Sequence, residues 1–134
     1  MITDLYSQTI QESREHAENQ FQAGNYHNSI AAYRRILFFE PYQHDSEIYS
    51  NLSLCYFNMN DYNKSHYYNQ LAYSVESNDS IKTEIGLQNV FMYILQKEFN
   101  YALSELFSLP VTESEYLTKK YNFYKGVIYF HQNK

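Results

Sequence analysis

Three times along the chain, an aromatic residue at a turn is followed three places later by a small one. The pairs are Tyr26 and Ser29, Tyr62 and Ser65, and Phe99 and Ala102. The first two aromatics are 36 residues apart and the next two 37. A recurrence of this length constrains the fold more than any other feature. A unit of about 20–50 residues cannot bury its own apolar face and must stack on its neighbours.

Each copy reads as two helices around a tight turn, at Gly24-Asn25, Asn60-Asp61 and Lys97-Glu98. Composition supports this. Only three glycines and two prolines occur in 134 residues, too few for a strand-rich chain with its many turns. Hydrophobic residues make up 44%, enough for a core. Tyrosine is the oddity, with 16 Tyr and 9 Phe but no Trp.

Local signals place the helices. Asp45 or Ser46 caps a helix from Glu47 to about Met59, on which Tyr49, Leu52 and Tyr56 fall at helical intervals. Its partner runs to about Tyr73. Asn78, Asp79 and Ser80 all suit the start of the third copy, and Pro110 ends that copy's second helix early. Thr112 with Glu115 offers a capping box before a last helix from about Ser114 to Gln132. Tyr26 is expected to pack back on the preceding helix, Ser29 to sit where two helices cross, and Pro41 to stop the second helix.

These residues resemble the tetratricopeptide repeat (TPR). The first copy matches at Gly24, Asn25, Tyr26, Ser29, Tyr33 and Pro41. The second matches at Tyr49, Leu52, Ser53, Tyr56, Tyr62, Ser65 and Ala72. The third keeps Tyr93, Phe99 and Ala102, but Val90 stands where a small residue is expected. Gly126 and Tyr129 then repeat the three-place spacing of Ser53 and Tyr56. The resemblance implies an all-α, right-handed superhelix of antiparallel helix pairs. A single domain over 1–134 would hold three repeats, about 10–44, 46–79 and 83–112, plus a lone C-terminal helix, about 114–132. The next turn aromatic would fall at position 135, one past the last residue, so the sequence reads as a piece of a longer array, or as one closed by a lone helix.

The resemblance also implies a function: binding a protein or peptide in a concave groove lined by the first helix of each pair. Aligned inward positions are Arg14, Glu18, Ser50, Leu54, Phe57, Leu87, Phe91, Phe123 and Val127. The apolar ones either contact a ligand or pack between repeats. The alternative is a ligand-sensing segment of a larger regulatory protein. Chaperone-binding members clamp a terminal carboxylate with Lys, Asn and Arg. Here Arg14 and Asn51 fill two such places, but Glu18, Glu84 and Gln88 occupy the others, which argues against that mode.

Other function classes find little support. Net charge is −5 with no basic stripe, which disfavours nucleic acid. Three isolated glycines make no phosphate loop. Glu12 and His16 lie one turn apart without a third metal ligand, and Cys55 has no base near it in sequence closer than His66. We therefore expect no enzyme activity, cofactor or metal. No signal peptide or membrane span is legible, and the compartment is not encoded in any residue pattern. The last helix is apolar on more than one face, so a homodimer through it is expected.

Overall fold

The computed structural model describes residues 2–40 and 45–133. Among the described residues it is all-helical, with α1 (Ile2–Gln22), α2 (Tyr26–Phe39), α3 (Ser46–Asn58), α4 (Tyr62–Val75), α5 (Asp79–Leu95), α6 (Phe99–Ser108) and α7 (Glu115–His131). Pro41, expected to stop α2, lies outside the described residues, and α2 ends at Phe39.

The turns fall where the repeat predicts them and share one geometry. Gly24, Asn60 and Lys97 have φ of 79°, 60° and 60°. In each turn one N–H reaches back three residues and the next reaches back five. Gly24 bonds to Phe21 O and Asn25 to Gln20 O. Asn60 and Lys97, with Asp61 and Glu98, make the same pairs. This is the Schellman closure, which satisfies the orphan carbonyls at a helix end. Asn133, 36 residues after Lys97, has φ 57° and bonds to Phe130 O, so α7 ends as the first helix of each pair does.

The first two turn aromatics pack back on the preceding helix, while Phe99 stacks on His131 of α7. Phe21 and Tyr26 meet edge to face at 5.5 Å, and Phe57 and Tyr62 lie 5.8 Å apart. The small residues sit at the crossings. Ser29, Ser65 and Ala102 have no exposed surface. Ser29 Oγ donates to Ala17 O at 2.8 Å. Buried hydroxyls need such partners, and here the facing helix's backbone supplies them.

The expected caps are partly revised. Asp45 caps α3 and Asn78 caps α5, accepting from Glu47 N and Ile81 N. The Thr112–Glu115 box is not the start of α7. Ser114 is the cap, accepting from Leu117 N, and Thr112 Oγ1 instead accepts from Ser114 N. The helix therefore begins two residues later than that box requires.

The interior divides into two clusters. One joins α1 to α3 through Ile10, Ala17, Ile30, Tyr33, Ile36, Ile48, Leu52, Cys55 and Tyr56. The other joins α5, α6 and α7 through Leu87, Val90, Ala102, Leu106, Leu117 and Ile128. Between them run polar contacts: Ser65 Oγ lies 3.0 Å from Met92 Sδ, and Asn69 Nδ2 donates to Ile85 O at 2.7 Å.

Candidate functional site

The first helices α3, α5 and α7 bring their inward residues to one groove. A pocket of about 560 Å³ is lined by Glu47, Ser50 and Leu54 of α3, and by Ile81, Glu84, Ile85 and Gln88 of α5. Lys120 of α7 closes one side, and Asp45, Ser46, Asn69 and Glu76 close another. One turn beyond Leu54 and Gln88, rings step across the same three helices. Phe57 lies 5.9 Å from Phe91, and Phe91 stacks on Tyr124 at 6.0 Å.

The nine aligned positions do not all arrive together. Ser50 and Leu54 line the pocket. Phe57 and Phe91 form the ring run beside it. Arg14 meets the wall indirectly, its Nη2 2.7 Å from Asp45 Oδ2. Burial opposes the Arg14 charge, but the hydrogen bond and charge of Asp45 outweigh it and hold the guanidinium above its ordinary range. Glu18 is exposed outside the pocket lining. Leu87 is not at the surface at all. It is fully buried in the cluster with Leu117 and Ile128 of α7, since α5 is flanked by α6 and α7 together. Phe123 and Val127 line a separate shallow patch with Asn122, Gly126, Phe130 and His131.

Two contributors were missed by aligned first-helix positions. Tyr124 follows Phe91 by 33 residues, about one turn short of the 36–37-residue recurrence, so alignment pointed to Val127 instead. Asn69 belongs to a second helix, and only its polarity in an otherwise packed position hinted at a role.

Electrostatically the pocket is acidic. Among the described residues, Asp45, Glu47, Glu76 and Glu84 share the lining with one lysine, Lys120. The hydroxyl of Ser46 and the backbone N–H groups of Asn78 and Ser77 hold the Glu76 carboxyl below the usual carboxylate range. Among the described residues, the Glu47 and Glu84 carboxylates have no hydrogen-bond or ion-pair partner. Asn51, considered for a carboxylate clamp, donates instead to Tyr33 Oη at 3.1 Å.

The chemistry-bearing residues elsewhere are engaged in packing. Burial pushes the Cys55 thiol up, and its Sγ lies 3.5 Å from Ser29 Oγ. His66 stacks on Tyr93 at 4.3 Å and its ring nitrogens meet Asn89 and Gln96. Among the described residues, no three of His, Cys, Asp and Glu gather as a metal site, and no helix is long and apolar enough to cross a membrane.

No protein-family profile and no curated protein matches the chain. Among solved structures it is similar to the TPR2B domain of yeast Sti1 in a complex with pHsp70. The TM-score is 0.67 at 15% identity, over 94% of this chain and 98% of that one. That likeness is one of fold: the chain is a TPR-like helical solenoid.

Proposed function

We propose that this chain is a protein-interaction scaffold without catalysis of its own, holding a peptide segment of a partner in the groove of α3, α5 and α7. The observation that carries the reading is the pocket of about 560 Å³, with an apolar floor of Leu54, Ile81 and Ile85 beside the Phe57–Phe91–Tyr124 rings. A few rigid apolar anchors flanked by polar groups are what peptide recognition needs. The structural neighbour in complex with pHsp70 adds support for a protein or peptide partner. The repeats of about 10–44, 46–79 and 83–112 would act as one binding unit. The test is photo-crosslinking to a peptide selected by display against the full chain. A benzophenone side chain at position 54 should crosslink it, and one at the exposed Tyr67 of α4 should not. Crosslinking from position 67 alone would place the partner on the outer helices.

A second contact is proposed on α7. Phe123 and Phe130 are 66% and 78% exposed around Gly126, where nothing lies within 4 Å of an added Cβ. This face would pair with a second copy. Light scattering at micromolar concentration should give a dimer, and Phe130→Glu should return it to monomer.

A further inference from the structure

We infer that the pocket between α3, α4 and α5 selects a cationic side chain, lysine or arginine, from the bound segment; the inference rests on the groove being the peptide site. Two independent observations point the same way. The first is charge. Glu47, Glu76 and Glu84 line the pocket, Asp45 is already met by Arg14, whose charge Glu47 also feels, and among the described residues Lys120 is the one basic residue of the lining. Glu76 is also fixed in place by Ser46 and the N–H groups of Ser77 and Asn78. It needs no rearrangement to face a cation.

The second observation is Asn69. It lines the pocket yet is only 2% exposed. Its Nδ2 donates to the carbonyl of Ile85 at 2.7 Å, and a carbonyl can only accept, so the amide orientation is settled. Its Oδ1 accepts no hydrogen bond among the described residues. That oxygen is not sealed from solvent, so a donor from a bound segment can reach it in place of water. The pocket therefore offers carboxylates, an amide oxygen and the Ser50 hydroxyl, a set of acceptors that fits the donors of an ammonium or guanidinium. Leu54, Ile81 and Ile85 would take an aliphatic neighbour of that cation. A ligand that presents a carboxylate to this pocket would meet like charge, which is the basis for discrimination.

The test uses three blocked peptides on the full chain: acetyl-Leu-Arg-Leu-amide, the same with citrulline for arginine, and the same with glutamate. Amide shifts are followed by NMR, including the Asn69 side-chain NH₂. The arginine peptide should shift Asn69, Glu84 and Gln88 saturably and bind about tenfold tighter than the citrulline peptide at low salt, a gap that salt narrows. Glu84→Gln with Glu47→Gln should erase the gap while leaving the melting curve unchanged. Equal binding of all three peptides in the groove overturns the cation preference and leaves the peptide groove standing. No shift of groove resonances with any peptide overturns both.

Discussion

The second and third helix pairs make the same crossing with different chemistry. In α3–α4 two serines face each other. Ser53 Oγ lies 2.8 Å from Ser65 O, Ser65 Oγ lies 2.7 Å from Ser53 O, and the two hydroxyls are 3.0 Å apart. In α5–α6 the corresponding residues are Val90 and Ala102, both fully buried and held by apolar contact. A separate close contact lies one turn back from Val90, at Gly86. There the chain leaving the short α6 folds Leu109 over the glycine, and a Cβ at Gly86 would collide with that side chain. The inner faces differ too. Ser50 and Leu54 stay open to the groove, whereas Leu87 is sealed beneath α7. A crossing can thus be made by polar exchange or by close apolar contact, while the packing of α7 on α5 decides which inner residues remain for binding.

Substitution at the crossings should give the largest effects. Ser65→Leu overpacks the site and removes the hydroxyl that donates to Ser53 O, so a loss of about 2–4 kcal/mol is expected. Ala102→Leu only overpacks and should cost about 1–3 kcal/mol. Urea denaturation of both variants measures the gap, and equal losses would mean that the serine exchange contributes nothing. Gly86 gives a smaller and conditional effect. Gly86→Ala should cost about 1 kcal/mol, but in a Leu109→Ala background it should gain about 1 kcal/mol from helix propensity. A double-mutant cycle showing no coupling would remove Leu109 from the contact. The turns, alike in both pairs, should give the smallest change. Lys97 adopts φ 60°, so Lys97→Gly should raise stability by about 0.5–1 kcal/mol in a melting experiment.

The hairpins were legible because their signals are local. A turn residue, the aromatic after it and the small residue three places on all lie within about two helical turns of one another. The caps at Asp45 and Asn78 are equally local, while at α7 two candidates two residues apart competed and Ser114 prevailed over Thr112. The groove was less legible because facing is a tertiary property. On α3, Ser50 and Leu54 came from alignment with the repeat, and both line the pocket. α5 is apolar almost all round, and two helices compete to cover it, so periodicity alone could not separate Leu87 from Gln88. Asn69 was hard to read for a different reason. It comes from a second helix, and the sequence shows only a polar residue there, not an amide oxygen left without a protein donor.

Leucines 54 and 87 give the most direct test, since one is assigned to the groove and the other to the interior. Leu54→Glu and Leu87→Glu are compared by thermal melting and by binding of a display-selected peptide. The account predicts that Leu54→Glu melts within a few degrees of the parent chain and loses the peptide, whereas Leu87→Glu unfolds. Retained binding by a folded Leu54→Glu chain, or unfolding of that variant as deep as that of Leu87→Glu, would contradict it.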